Sequence, residues 1–313
     1  MMCGVLLVLV LTTPAVRFAE GAAKEQEVRK EMSLTQAVIL GAIEGLTEYL
    51  PVSSTGHLLV AEHLMGLGKA GSASPEEAQQ SKDAADAYAI CIQAGAIAAV
   101  FWLYFGRIRQ MGQGIFGRDK EGLRMVVNLI AAFVPAAVIG LLLNKAIKAH
   151  LFGMWPVIAA WFAGGLVILA VSHPKEENRE QVNAKKSLDQ LRVRMALVIG
   201  LAQCIAMWPG VSRSLVTILG GALVGLSLSA AVEFSFLLGL LTLGAATCYD
   251  AVKHGHIMLQ TYDGLPLLVG LIAAFIFAVL SMKWMVAYLN RHGLSIFGYY
   301  RIMAAIVAIV LLL

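Results

Sequence analysis

Long apolar stretches, separated by short polar connections, dominate the hydropathy pattern of this chain. Six of them run for roughly 17 to 25 residues, the length of helix that crosses about 30 Å of hydrocarbon. These six predicted spans lie at about Ala84 to Phe105, Arg124 to Leu143, Trp155 to Val171, Ser229 to Tyr249, Pro266 to Leu289 and Ile296 to Leu313. The pattern therefore predicts an all-α polytopic membrane protein.

Two further apolar regions are interrupted by polar residues and proline. Leu34 to Leu67 and Val193 to Leu226 each consist of two shorter helical patterns, joined at Pro51 or at Pro209. A broken helix at membrane depth is tolerated where protein or a water-filled cavity satisfies its backbone. Both regions are therefore predicted as re-entrant helical hairpins. Together they define two repeats, at about residues 34–143 and 193–289, within one membrane-embedded domain over residues 33–313.

The composition of the chain supports a membrane protein and excludes other classes. Of the 313 residues, 59% are hydrophobic and 14% are charged, against about 25% charged residues in soluble domains. The net charge of +4 lies in loops and forms no basic stripe, so nucleic acid is excluded as a partner. The four cysteines form no C-x-x-C pair, which argues against a disulfide framework or a zinc site.

Residues 1–32 are predicted as a signal-like segment followed by a polar connector. An apolar run from Val5 to Leu11 is too short to span a membrane and is followed by Pro14 and small residues. This resembles a signal peptide without its positive first region. The pattern leaves cleavage open.

Lysine and arginine are concentrated in three connections, and this distribution predicts the orientation of the chain. The rich clusters lie at residues 107–124, at residues 175–194 and at Lys283 with Arg291. Cytoplasmic loops carry the excess of these residues. With all three clusters in the cytoplasm, the two hairpins enter the membrane from opposite faces. We therefore expect an inverted repeat whose site opens to the exterior.

Two carboxylates in the first hairpin indicate a metal site. Glu44 and Glu48 are four residues apart and share one face of a helix. Acidic residues at membrane depth point by default to a functional site, and hard oxygen ligands suit Mg²⁺ or Ca²⁺. One carboxylate could also act as a base. The alternative is a solvated pair at a helix end.

Hydroxyl groups follow the break in the first hairpin. Pro51 suits the first position of a new helix, and Ser53, Ser54 and Thr55 then fall in its first turn. Free backbone N–H groups at a helix start bind anions such as phosphate. His57 lies one turn further, and the spacing predicts that its imidazole reaches a serine hydroxyl or a phosphate oxygen. The alternative is a capping serine followed by a histidine of the core.

The second hairpin contributes an arginine. Arg213 follows Pro209, and an arginine inside the membrane needs a carboxylate or a phosphate as partner. Pairing with Glu44 or Glu48 is the structural alternative to phosphate binding. The candidate substrate-binding residues beside Arg213 are Ser212, Ser214 and Thr217, with Gln203 at the position that matches Glu48. Arg301, near the start of the last span, is expected to snorkel to the membrane surface.

These two motifs resemble those of a known family. EGLTEYLPVSSTGH, from Glu44 to His57, together with PGVSRS, from Pro209 to Ser214, resembles the bacterial undecaprenyl-diphosphate phosphatase family, the bacitracin-resistance protein type. The resemblance runs from about Ser33 to the end of the chain. It implies a multi-pass protein of the bacterial plasma membrane that removes one phosphate from undecaprenyl diphosphate and recycles the lipid carrier of cell-wall synthesis.

The site expected from the motifs and the resemblance contains four catalytic residues. In it, Arg213 binds the diphosphate, a divalent cation lies at Glu44 and Glu48, and Ser54 attacks phosphorus. His57 activates Ser54 or protonates the leaving oxygen, and water as the nucleophile stays open. The rival hypothesis is a transporter or flippase of polyprenyl phosphate, because broken helices in inverted repeats also build transporters. Small residues at Gly95, Ala98 and Ala99 suggest a homodimer.

Overall fold

The computed structural model describes residues 32–67, 75–172, 185–261 and 263–312. The signal-like segment lies outside these residues. The described chain forms α1 (Leu34–Thr47), α2 (Ser54–Leu64), α3 (Pro75–Leu103), α4 (Phe105–Ile115), α5 (Lys120–Leu151), α6 (Met154–Val171), α7 (Val193–Gln203), α8 (Arg213–Leu223), α9 (Leu228–Thr261), α10 (Gly264–His292) and α11 (Ser295–Leu312). Two short 3₁₀ helices, Leu188–Gln190 and Cys204–Met207, flank α7.

The six predicted spans all appear as helices, which confirms an all-α multi-pass membrane protein. Within the described residues, four helices are long and apolar enough to cross a membrane, namely α5, α6, α9 and α10, and α3 with α4 forms a fifth, bent pair. The last helix, α11, is a shorter apolar helix. The first predicted span ends at Leu103 because the chain bends by 77° at Tyr104. Arg107 of the bent helix is tied to Glu233 of α9 by a 2.7 Å ion pair.

The two interrupted regions form the predicted helical hairpins. α1 has 14 residues, while α2, α7 and α8 have 11 each. At 1.5 Å per residue they are about 21 Å and 17 Å long, well short of the ~30 Å hydrocarbon core. α1 packs against α2, and α7 packs against α8. These are the dimensions of re-entrant hairpins.

The two repeats exchange their packing partners. α1 of the first repeat packs along α10 of the second, α7 of the second packs along α5 of the first, and α3 and α9 pack together. Glycines permit the close approach: a Cβ atom at Gly45 would lie 2.7 Å from Ala278 N, and one at Gly200 would lie 2.8 Å from Ala132 Cα. Each repeat therefore depends on the other for its hairpin. The opposite orientation of the repeats stays a prediction.

Two of the three small residues that suggested a dimer, Gly95 and Ala99, pack within the chain, whereas Ala98 is exposed. A Cβ atom at Gly95 would lie 3.0 Å from Ala274 Cβ of α10, and Ala99 is fully buried. The homodimer itself stays a prediction.

A buried arginine joins the two helix breaks, and the prediction that it snorkels is wrong. Arg301 of α11 has no exposed surface. Its Nη1 atom donates to Pro51 O at 3.2 Å, and its Nη2 atom donates to Gly210 O at 2.8 Å. It also donates to two carbonyls of α6, Ala160 O at 2.8 Å and Trp161 O at 3.3 Å. Carbonyls at a helix break have lost their usual donors, and the five N–H groups of one guanidinium supply several at once.

Gly45→Ala is expected to destabilise the protein although alanine is the better helix former. The new Cβ atom would overlap the α10 backbone, and this repulsion exceeds the ~1 kcal/mol propensity gain of alanine over glycine. Gly244→Ala, where nothing lies within 4 Å, is the matched control. Thermal unfolding in detergent should show a lower midpoint for Gly45→Ala only; equal midpoints would contradict the packing described here.

Arg301→Lys is expected to destabilise the protein strongly while keeping the positive charge. An ammonium cannot reach both helix breaks as the guanidinium does, and each buried carbonyl left there without a donor costs about 1–3 kcal/mol. The exposed Arg109 supplies the control, Arg109→Lys. Yield of monodisperse protein and the unfolding midpoint are the readouts, and an Arg301→Lys protein as stable as the parent would refute the assigned role.

Candidate active site

Two strained serines mark the helix breaks. Ser53 has φ 72° and Ser212 has φ 79°, and they are the two non-glycine residues with positive φ in the part of the chain that the structure describes. Such conformations cost about 1–3 kcal/mol and concentrate at functional sites. Each serine immediately precedes an 11-residue helix, α2 or α8. The two breaks are thus equivalent positions of the repeats.

This equivalence corrects the position assigned to Gln203. Gln203 stands nine residues before Ser212, and Glu44 stands nine residues before Ser53. Gln203 therefore matches Glu44 and not Glu48, and Gly200 matches Gly41 and not Gly45. The Gly-Leu pairs at residues 45–46 and 200–201 look alike in the sequence, but their distances from Ser53 and Ser212 differ by four residues, about one helical turn. The Gln203 side chain is buried, and both its amide atoms lack a partner among the described residues.

Glu48 connects the two hairpins through one carboxylate. Its Oε2 atom accepts a very short hydrogen bond from Ser54 Oγ, and its Oε1 atom accepts from Arg213 Nη2 at 3.1 Å. The side chains of Arg213 and Glu48 are only 11% and 7% exposed, so solvent screens this ion pair little. Of the four predicted catalytic residues, three therefore meet at one point.

Arg213 is held in place by further contacts and keeps a free donor. Its Nη1 atom donates to Ser235 O at 3.0 Å, and its guanidinium carbon lies 5.1 Å from the centre of the Tyr49 ring. Its Nε–H has no partner among the described residues. The arginine is thus fixed in orientation and still able to donate to an anion.

A cavity of about 210 Å³ adjoins Ser54. One face of α2 lines it with Ser54, Thr55, Leu58, Leu59 and Glu62. The opposite walls come from Glu44, Ala89, Ile90, Gln93, Phe152, Gly153, Val157 and Pro209. The cavity therefore combines apolar walls with carboxylates and a hydroxyl, which is the character expected for a ligand with a polar head and an apolar body.

Sequence reasoning did not single out Gln93, although it belongs to this cavity. Thr247 Oγ1 donates to Gln93 Oε1 at 2.9 Å. Since this bond occupies the amide oxygen, the amide NH₂ group is oriented as a donor. An amide inside a predicted span was the signal that could have revealed it.

The carboxylates fit a divalent cation of the kind that keeps few protein ligands. Glu44 is buried, and its Oε1 atom has no partner among the described residues. The Glu48 backbone N–H still bonds to Glu44 O at 2.9 Å, so the two side chains lie one helical turn apart on the same face. Within the described part of the chain, no group of three His, Cys, Asp or Glu residues could hold a metal. Mg²⁺ commonly takes one or two carboxylates and completes its shell with substrate phosphates and water.

The structure does not bring His57 to Ser54. The Nδ1 atom of His57 lies 2.7 Å from Ser53 O, and its Nε2 atom lies 2.7 Å from Tyr300 Oη. The imidazole packs against Trp161 and Tyr300, with ring centroids 4.7 Å and 5.6 Å away. Ser54 instead points to Glu48. The predicted reach from His57 to a hydroxyl is therefore wrong for Ser54, because helical spacing placed the imidazole beside the backbone of Ser53.

The hydroxyls around Arg213 join the two hairpins. Ser214 Oγ donates to Leu50 O at 2.7 Å and lies 2.9 Å from Ser212 Oγ. Thr217 Oγ1 donates to Arg213 O at 2.8 Å and lies 2.7 Å from Ser235 Oγ. These groups fasten the start of α8 to the first hairpin and to α9. Substrate binding by Ser53, Thr55, Ser212, Ser214 and Thr217 stays a prediction.

Comparison with known proteins identifies the family of the chain. The family model described as bacitracin resistance protein BacA matches residues 37–307. An undecaprenyl-diphosphatase of Sorangium cellulosum is 45% identical over 267 residues, which cover 85% of this chain and 82% of the relative. Undecaprenyl-diphosphatase 2 of Rhodospirillum rubrum is 41% identical over 276 residues, 88% of this chain and 94% of the relative. Undecaprenyl-diphosphatase 1 of Chromobacterium violaceum is 41% identical over 271 residues, 86% of this chain and 93% of the relative. On the extent of the family match and of these identities, the chain belongs to the bacitracin resistance protein BacA family.

Proposed function

We propose that the protein is an undecaprenyl-diphosphatase, which hydrolyses undecaprenyl diphosphate to undecaprenyl phosphate and inorganic phosphate. Family membership and the activity named for its relatives support this substrate. The observation that carries the proposal is the cluster in which Ser54 donates to Glu48 and Glu48 pairs with Arg213. A nucleophile, a base and a phosphate-binding cation are thereby joined beside a cavity.

Ser54 is the nucleophile and Glu48 is its base. As Ser54 Oγ bonds to the terminal phosphorus, its proton passes to Glu48 Oε2, which already accepts it in a hydrogen bond. The bond from that phosphorus to the bridging oxygen breaks, and undecaprenyl phosphate leaves with the bridging oxygen. Water then attacks the phosphorus of the phosphoserine and the bond from Ser54 Oγ to phosphorus breaks. Glu48 returns its proton to Ser54 Oγ, and inorganic phosphate leaves with the oxygen and the protons of the water. Direct attack by water, with Glu48 as base, is the variant of this scheme without a covalent intermediate.

Arg213 supplies a fixed positive charge beside the phosphoryl group, where negative charge shifts between oxygens during the reaction. Phosphoryl transfer depends mainly on positioning and on charge stabilisation. The contacts to Ser235 O and Tyr49 hold the guanidinium in place before substrate enters, so little reorganisation is needed.

Glu44 and Glu48 would hold a divalent cation, Mg²⁺ or Ca²⁺. A bound cation would neutralise oxygens of the diphosphate. The unpartnered Oε1 atom of Glu44 supports this assignment, because a buried carboxylate oxygen without a partner is costly.

The apolar cavity wall takes the start of the isoprenoid chain, and surrounding lipid takes the rest. Leu58, Leu59 and Ile90 provide this wall. The distribution of lysine and arginine supports a location in the bacterial inner membrane with the site facing the periplasm or exterior. There the enzyme would recycle the lipid carrier for peptidoglycan synthesis and confer bacitracin resistance.

Transport of polyprenyl phosphate is the rival function. The exchanged repeats resemble transporter architecture, but a transporter needs no nucleophile bonded to a base. The Ser54–Glu48 contact therefore favours hydrolysis.

Purified protein in detergent is expected to release phosphate from undecaprenyl diphosphate, and a chelator should abolish the release. Ser54→Ala and Arg213→Ala should each lower kcat/KM at least about 100-fold, while the controls Ser172→Ala and Arg109→Ala should not. Near-normal turnover by Ser54→Ala would exclude the covalent route. No release by the folded parent chain would reject the phosphatase in favour of transport.

Gln93→Leu is expected to raise KM about tenfold, because it removes a neutral donor to a charged phosphate while keeping the side-chain volume. Gln113→Leu, on the exposed face of α4, is the control. Initial rates over a range of substrate concentrations give KM and kcat separately. An unchanged KM would show that Gln93 makes no contact with substrate.

A further inference from the structure

The conformation of Ser53 places the nucleophile, and it is not the conformation that serine prefers. Ser53 has φ 72° and ψ 101°, a region that side chains rarely adopt and that only glycine enters freely. Ser54 begins α2 immediately afterwards. Relaxation of Ser53 would therefore rotate Ser54 away from Glu48.

The equivalent serine of the second repeat is held differently. Ser212 Oγ accepts a capping hydrogen bond from Leu215 N at 3.3 Å. Ser53 makes no side-chain capping bond. Position 57 of the first repeat corresponds to Val216 of the second, so an imidazole is present only where the serine cap is missing.

His57 contacts the strained residue through its backbone. A carbonyl oxygen can only accept, so the 2.7 Å contact between His57 Nδ1 and Ser53 O places the imidazole proton on Nδ1. In the neutral ring, Nε2 is then an acceptor, and Tyr300 Oη donates to it at 2.7 Å. Both ring nitrogens are thus occupied.

Packing fixes the ring as well as its nitrogens. The His57 and Tyr300 rings are stacked at an interplanar angle of 12°. The buried Trp161 contacts the imidazole, with ring centroids 4.7 Å apart, and lies close to Gly56, where a Cβ atom would be 2.8 Å from the indole nitrogen. Movement of the imidazole would therefore break contacts with both rings.

We propose that His57 and Tyr300 form a brace that holds the left-handed backbone of Ser53 and so directs the Ser54 hydroxyl to Glu48. Both are positioning residues, and no proton passes through the imidazole during turnover. The inference rests on the proposed phosphatase function. It assigns a new role to Tyr300 and separates His57 from the proton transfer, which belongs to Glu48.

A double-mutant cycle between His57 and Ser53 tests the brace. Glycine adopts positive φ without strain, so Ser53→Gly removes the need for a brace but cannot replace a proton carrier. His57→Ala should lower kcat roughly tenfold in the parent chain. In the Ser53→Gly background the same substitution should lower kcat less than about twofold, a coupling that double-mutant cycles resolve.

Ser212→Gly is the matched control for the cycle. It relieves the other strained serine, which His57 does not touch, so the tenfold effect of His57→Ala should persist in that background. Tyr300→Phe keeps the stacked ring and removes only the hydroxyl. Tyr300→Phe should lower kcat less than His57→Ala does in the parent chain, and this loss should also disappear in the Ser53→Gly background. The pH profile of kcat should keep both limbs in every variant.

Two results would overturn the proposal. One is an undiminished effect of His57→Ala in the Ser53→Gly background, and the other is the loss of one limb of the pH profile when His57 is replaced. Thermal unfolding of the same variants separates this inference from the proposed function. If the parent chain released no phosphate, the brace would still require that His57→Ala lowers the unfolding midpoint more in the parent chain than in the Ser53→Gly background.

Discussion

Backbone carbonyls freed by a helix break at membrane depth need donors, and the whole arrangement depends on how they are supplied. Arg301 meets this need for Pro51 and Gly210 together, and the same guanidinium bonds to two carbonyls of α6. Among the described residues, no carboxylate is paired with it by a salt bridge. Because one side chain serves both breaks, the hairpins meet at their break points.

Because the two hairpins meet at their break points, residues from both form a single candidate site. The first hairpin holds Glu48 and Ser54, and the second holds Arg213. Ser214 reinforces the junction by donating to Leu50 O at 2.7 Å. The Glu48 carboxylate thereby accepts from the Ser54 hydroxyl and from the Arg213 guanidinium, the proposed nucleophile and the proposed phosphate-binding cation. Hydrolysis of a lipid diphosphate needs both at once, and neither repeat contains both.

Local properties of the chain were predictable, whereas contacts between distant residues were not. The positions of the spans and hairpins follow from hydropathy and from Pro51 and Pro209, which act on their own segments. The role of Arg301 was missed because its acceptors are backbone carbonyls more than 90 residues away in sequence. Every residue has a backbone carbonyl, so the pattern of side chains does not show which carbonyls need a donor. The predicted partner of His57 was wrong because helical spacing cannot distinguish the hydroxyl of a serine from a neighbouring backbone carbonyl. Gln203 was matched to Glu48 instead of Glu44 because the repeated Gly-Leu pairs suggested that alignment. The equivalence of the positive-φ serines, which gives the correct alignment, is visible only in the structure.

The exchange of packing partners has a consequence for biosynthesis. α1 packs along α10, which the ribosome completes only near the end of the chain. Until then the first hairpin, too short to span the bilayer, lacks the helix along which α1 packs. A chain truncated before α10 would therefore leave α1 without this packing partner.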